Sequence, residues 1–257
     1  MCQLLGMNCN VPTDIVFSFE GFRRRGGETD EHADGWGIAF FEDGGCRVFL
    51  DYLPSSISPV ADLVKNYPIQ SRNVIAHIRK ATQGAVSLAN THPFQRELWG
   101  RYWLFAHNGN LAERPSLDDG RFTPVGSTDS EHAFCALLNQ LSRHFGEPPS
   151  LADLHGAVAD YAGTLSRSGT FNFLLSDGRA LFAHCSTDLF YVVRESPFST
   201  AHLSDADVSI DFARVTTPRD RVAVIATRPL TDNEDWTRMR SGELLCFVDG
   251  MPRPSPI

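Results

Sequence analysis

A cysteine stands directly after the initiator methionine in the opening stretch MCQLLGM. Once Met1 is removed, Cys2 would carry a thiol nucleophile and a free α-amine on one residue. A thiol attacks as the thiolate and its free pKa is about 8.5, so it needs a base. An α-amine, with an unperturbed pKa of about 7.7–8.0, can be that base. Acyl chemistry at such a thiol also needs donors for an oxyanion. Asn108-Gly109 in AHNGN is suited to this, because the Asn amide donates and Gly lets a backbone N–H approach closely. If the substrate is an amino acid amide, its α-carboxylate calls for a bidentate arginine and its α-ammonium for a carboxylate. Arg79 in AHIRKATQG and Asp129 in GSTDSEH supply one of each; Thr82 in the first stretch and His92 in NTHPF are further polar residues at the ends of apolar runs.

Each of these residues also has a structural alternative. Asn-Gly is a common tight-turn pair. Asp129 could oppose the dipole at a helix start. Arg79 could be a surface residue at a strand end, and His92, before Pro93, a structural one. Separately the signals are weak; their joint presence with Cys2 carries the weight. His77, His92 and His107 lack the tight spacing of a metal site, and the cysteines at 2, 9, 46, 135, 185 and 246 include no C-x-x-C pair. Neither a G-x-G-x-x-G run nor a P-loop occurs, so neither a metal nor a nucleotide cofactor is indicated.

The elements that must position these groups come from a chain of 257 residues with 42% apolar composition and a net charge of −8. That charge argues against nucleic acid or an anionic membrane as the main partner. No signal peptide or run of about 20 apolar residues is visible, so a cytoplasmic protein with reduced thiols is expected. No repeat or linker appears, which predicts one domain over residues 2–257. Apolar spacing predicts a helix in DIVFSFEGFRRRGG with Ile15, Phe19 and Phe22 inward, its Arg23-Arg24-Arg25 end solvated. SPVADLVKNY is a short helix. STDSEHAFCALLNQLSRHFG is the clearest helix, with Thr128 and Glu131 as a capping box. LADLHGAVADYAGTL is another. CQLLGM, NVIAHIR, YWLFAHNG, LFYVVRES, RVAVIATR and ELLCFVDG read as strands, and GWGIAFFEDGGCRVFLDY and TFNFLLSDGRALFAHC as hairpins. DGMPRPSPI reads as a loose tail. Helices in the middle with mostly antiparallel strands on both sides make an α+β pattern.

Cys2 after Met1, DGWG, HIRKATQG, NTHPF, AHNGN and STDSE occur in the order seen in class II glutamine amidotransferase domains. The chain resembles these N-terminal-nucleophile hydrolases over residues 2–135 by motif. IATRPLT and SGELLCFVDG resemble the end of the stand-alone, YafJ-type members. The resemblance implies a four-layer αββα sandwich and a thioester at Cys2. It implies that Asn108 and Gly109 hold the oxyanion, that Arg79 grips the α-carboxylate with Thr82 nearby, that Asp129 pairs with the α-ammonium and that His92 shapes the pocket. The implied activity is cleavage of a γ-glutamyl amide, by default glutamine, to glutamate and ammonia, without a cofactor. Synthase members usually have Trp after the Arg and often His after the Thr, where this chain has Lys80 and Gln83. This difference keeps a γ-glutamyl peptide or thiol-conjugate hydrolase open as an alternative. A catalytically silent ligand-binding or regulatory subunit is a third. With no second domain to receive ammonia, a synthase role implies a partner subunit.

Overall fold

Near-continuous apolar runs lay down the central strands, and the computed structural model describes residues 2–253. β1 (Gln3–Thr13) leads into α1 (Val16–Arg24), whose Ile15, Phe19 and Phe22 are buried as the spacing predicts. β2 (Trp36–Glu42) and β3 (Gly45–Asp51) form the predicted hairpin, closed by Asp43 and Gly44, both at positive φ. α2 (Pro59–Asn66) starts with proline in its first turn behind the Ser58 N-cap. β4 (Ser71–Ile78), β5 (Phe94–Leu98) and β6 (Arg101–Leu111) follow, then α3 (Asp129–His144) and α4 (Leu151–Leu165). β7 (Gly169–Ser176), β8 (Leu181–Cys185) and β9 (Phe190–Arg194) come next, then the small ribbon of β10 (Thr200–His202) and β11 (Ser209–Asp211). β12 (Val222–Ala226), β13 (Thr237–Arg238), β14 (Glu243–Val248) and β15 (Met251–Arg253) complete the described chain.

Among the described residues the strands make a seven-stranded sheet ordered β13-β9-β12-β1-β4-β2-β3, a six-stranded sheet ordered β15-β14-β8-β7-β6-β5 and the β10-β11 ribbon, every pairing antiparallel. Because side chains alternate across a strand, each large sheet has two apolar faces, and three cores result. Leu5, Met7, Ile38, Phe40, Val74 and Ala76 face α1 and α2. Phe105, Phe171, Phe173 and Phe182 face Phe134, Leu137 and Leu138 of α3 and Leu154 and Val158 of α4. Between the sheets lie Leu4, Ile75 and Ile225 from one and Leu104, Ala106 and Leu174 from the other. The order helix, sheet, sheet, helix is the four-layer αββα sandwich. No helix among the described residues is long and apolar enough to cross a membrane.

Three sequence expectations need correction. The arginine run is not a solvated helix end: Arg25 is buried, pairs with Asp205 at 2.8 Å and donates to the carbonyls of Arg228 and Pro229. The capping box is half formed. Thr128 accepts the Glu131 N–H at 3.2 Å, but the Glu131 carboxylate accepts from Val125 and Gly126 and pairs with Arg96. The tail is not loose throughout, since β15 pairs with β14 across Asp249-Gly250, and Gly250 N–H donates to Asn8 Oδ1 at 2.8 Å. Pro254–Ile257 lie outside the described residues.

Candidate active site

Strand parity brings the candidate residues to one end of the space between the sheets. Leu4 faces the inter-sheet core, so Cys2, two residues earlier, points the same way. Ile75 sets the same face for His77 and Arg79, Ala106 for Asn108, and Ile225 for Thr227. The pairings Gln3 to Ile78 and Leu5 to Ala226 hold β1, which follows Cys2, between β4 and β12.

Cys2 is half-buried, and its Sγ accepts the Lys80 N–H at 3.3 Å and lies 3.5 Å from the Lys80 carbonyl. Burial pushes this thiol up from its ordinary value; the Lys80 backbone contact and the Arg79 guanidinium pull it down, and Asp129 pushes it up. The thiol therefore rests protonated at neutral pH and needs a base to react. Cys9, Cys135, Cys185 and Cys246 are buried strand and helix packing residues.

Arg79 is buried at 3% exposure. Its guanidinium donates to the carbonyls of Gln83 (2.9 Å), Gly84 (3.1 Å) and Ala85 (2.9 Å), so it gathers the loop that follows it. The turn after Arg79 is pinned by Asp34 of the DGWG stretch, whose Oδ2 accepts the Ala81 N–H at 2.7 Å, while Gly35 carbonyl accepts the Arg79 N–H at 2.8 Å. Gly35 has φ +104, which favours glycine. Thr82 is exposed on this loop. Lys80 forms an ion pair with Glu31, and Gln83 Nε2 donates to Asn110 Oδ1 at 2.5 Å.

Asn108 and Gly109 are not a turn. They lie inside β6, opposite Asn172 and Phe171 of β7. Gly109 is required by space: a Cβ there would stand 1.9 Å from the Thr170 carbonyl and 2.6 Å from His107 Nε2. Asn108 Nδ2 lies 3.4 Å from Thr227 Oγ1, and its Oδ1 is buried without a hydrogen-bond partner. The Asn108 carbonyl accepts from Asn172 Nδ2 at 3.1 Å. Asp129 opens α3 and is buried; its Oδ2 accepts the Leu111 N–H at 2.8 Å, which ties the end of β6 to the helix.

His92 is buried, with its ring 4.1 Å from that of His77 and 4.4 Å from that of Phe94. His77 Nε2 meets the His107 carbonyl at 3.1 Å, and His107 Nδ1 meets Ser130 Oγ at 2.8 Å. Burial lowers all three imidazoles, His77 to about 3, and holds them neutral. His77 and His92 lie against one another, while His107 packs against Phe105 and Phe171 on the helix side of β6. Among the described residues no cluster of His, Cys, Asp or Glu could hold a metal ion. A cavity of about 690 Å³ opens at the opposite end of the strands, beside Asp43, Arg72, Trp99 and Asp177, and contains none of the candidate residues.

Thr227 and Asn172 also belong to the site, although the sequence alone does not single them out. Their signal is the alternation in VAVIAT and TFNFLL, which turns each polar side chain to the inter-sheet face once the facing residues are known.

The profile of the class II glutamine amidotransferases matches residues 1–255. The chain belongs to the class II glutamine amidotransferase family. It is 54% identical to the Escherichia coli protein named "Putative glutamine amidotransferase YafJ", over 97% of this chain and 98% of that one. A Haemophilus influenzae protein named "Putative glutamine amidotransferase" is 55% identical over 97% of this chain and 85% of its own length. Among solved structures, a predicted glutamine amidotransferase from Pseudomonas aeruginosa superposes with TM-score 0.78 at 46% identity, covering 98% of this chain and 99% of the other. The Bacillus subtilis glutamine phosphoribosylpyrophosphate amidotransferase shares the fold, with TM-score 0.62 at 15% identity, over 98% of this chain and 48% of that one. Within the family's sandwich, the inter-sheet end of β1, β4, β6 and β12 is where this chain gathers its thiol, guanidinium and amide.

Proposed function

We propose that the chain hydrolyses a γ-glutamyl amide, glutamine by default, to glutamate and ammonia through a thioester on Cys2. Removal of Met1 makes the Cys2 amine terminal and available as the base. That amine takes the thiol proton, and the thiolate attacks the γ-carbonyl carbon. The carbonyl oxygen becomes an oxyanion held by the Asn108 amide and the Gly109 N–H. As the tetrahedral species collapses, the ammonium of Cys2 returns its proton to the departing nitrogen and ammonia leaves. Water, losing a proton to the same amine, then attacks the thioester. Glutamate departs, and the sulfur regains its proton from the amine.

Arg79 takes the α-carboxylate through its planar fork, Asp129 takes the α-ammonium, Thr82 lies on the closing loop, and His92 backs the pocket. The observation that supports this best is the approach of Cys2 Sγ to the Lys80 N–H at 3.3 Å, one residue beyond Arg79 and at the same end of the inter-sheet space as Asn108 on β6. A leaving group larger than ammonia is compatible with the rim, where Thr82, Gly84 and Asn110 are exposed and Lys80 and Gln83 replace the aromatic and imidazole of the synthases.

Intact-protein mass spectrometry with and without a glutamine-analogue electrophile tests the mechanism. Wild type should lack Met1 and gain one adduct, and Cys2→Ala should gain none and lose glutamine turnover. A Cys2→Ala protein as active as wild type would refute the thioester. A substrate panel of glutamine, glutathione and other γ-glutamyl amides separates the substrates: turnover of glutamine alone removes the peptide and conjugate alternatives.

A further inference from the structure

Thr227 joins three strands at the site. Its N–H donates to the Leu4 carbonyl at 3.2 Å, and its Oγ1 accepts the Leu4 N–H at 2.9 Å. Leu4 lies two residues after Cys2 on β1. On the facing sheet the partner of the same hydroxyl is the Asn108 side-chain amide, 3.4 Å away. A hydroxyl has one proton to give and room to accept two. Leu4 uses one acceptor site. If Asn108 Nδ2 used the other, the hydroxyl proton and the buried Asn108 Oδ1 would both lack a partner, which is costly in a buried setting. The two ends of an amide have the same shape, so hydrogen-bond partners decide which end is which. Turning the Asn108 amide over satisfies both groups with one hydrogen bond, from Thr227 Oγ1–H to Asn108 Oδ1.

We infer that Thr227 is a positioning residue whose hydroxyl donates to Asn108 Oδ1 and thereby leaves the Asn108 Nδ2 as the unengaged donor at the site. The inference rests on the proposal that Asn108 holds the oxyanion. The Thr227 hydroxyl then fixes the polarity of the amide, while the Leu4 bonds fix the position of Thr227 relative to the nucleophile strand. Asn172, donating to the Asn108 carbonyl at 3.1 Å, holds the backbone of the same residue and leaves the side chain's orientation to Thr227.

Thr227→Val keeps the shape and removes the hydroxyl; Thr227→Ser keeps the hydroxyl. With glutamine as probe, Thr227→Val should lower kcat about 10- to 100-fold with KM within about 2-fold, as expected when a donor is misaimed rather than removed. Thr227→Ser should restore most of kcat. A Thr227→Val protein with wild-type kcat, or both variants losing activity only in step with their melting temperature, overturns the inference. Neutron diffraction from wild-type crystals supplies a second readout that needs neither turnover nor a variant that folds. A Thr227 deuteron on the line to Asn108 Oδ1 supports the assignment, and Asn108 Nδ2 deuterons facing Thr227 overturn it. Wild type inert toward glutamine would instead count against the proposed activity, and the neutron map would still decide the hydrogen bond.

Discussion

The Cys2 sulfur and the Lys80 backbone N–H meet at 3.3 Å although 78 positions separate them in sequence. The antiparallel register of β1 on β4 makes the contact, and the same register brings Arg79 to Cys2. The partner of the sulfur is a main-chain amide, so the sheet sets its position and no second side chain's rotamer is needed.

Asn108→Ala removes the proposed oxyanion donor and leaves the backbone pairing of β6 in place. Loss of one such donor costs about 10²- to 10³-fold in kcat. Steady-state kinetics with glutamine should show that fall with KM little changed, and melting temperature should move far less than activity.

Arg79→Lys should raise KM for glutamine about 10- to 100-fold, because the proposed grip on the α-carboxylate falls from a two-point guanidinium fork to one ammonium contact. The same change removes donors from the carbonyls of Gln83, Gly84 and Ala85. Limited proteolysis should therefore cut faster in residues 82–86 of the variant than in wild type.

Stability should fall in acid through the buried imidazoles. His77, ordinarily near 6.5, is lowered to about 3, and His92 and His107 are lowered as well. Unfolded histidines bind protons below about pH 6.5 while the folded ones stay neutral, so the unfolded state gains protons and stability drops as pH falls from there toward 3. Above about pH 6.5 these groups contribute no slope. Each histidine adds at most about 1.4 kcal/mol per pH unit. Urea titrations from pH 7 to pH 5 should show the loss, and His92→Phe, which fills a site where both ring nitrogens lack partners, should remove that histidine's share of the slope.

Arg25→Ala should destabilise the protein by about 3 kcal/mol, because it leaves Asp205 and two backbone carbonyls without their cation. Urea unfolding measures this. Glutamine turnover at low temperature, well below the transition, should stay near the wild-type rate.

The sequence made visible what depends on near neighbours. Thr128 as N-cap, the α1 and α3 stripes and the turn at Asp43-Gly44 are each determined within a few residues. β5 was hidden because FQREL carries its polar residues consecutively and owes its strand to pairing with β6. β15 was hidden by Pro252, which an edge strand tolerates because its missing N–H falls outside the ladder. The burial of Arg25 was illegible because its partners lie 180 or more positions away. At the site, residue types were readable one by one. Asn-Gly as a strand interior and Thr227 as the neighbour of Asn108 needed the two sheets face to face.

β1 is flanked on one side by β12, with Leu5 opposite Ala226. β1 thus waits for β12. The setting of the Cys2 thiol is incomplete until residues 222–227 have joined the sheet. A chain cut before residue 222 would carry Cys2 at the end of an edge strand without Thr227, so a break more than 200 positions away would unmake the surroundings of the thiol.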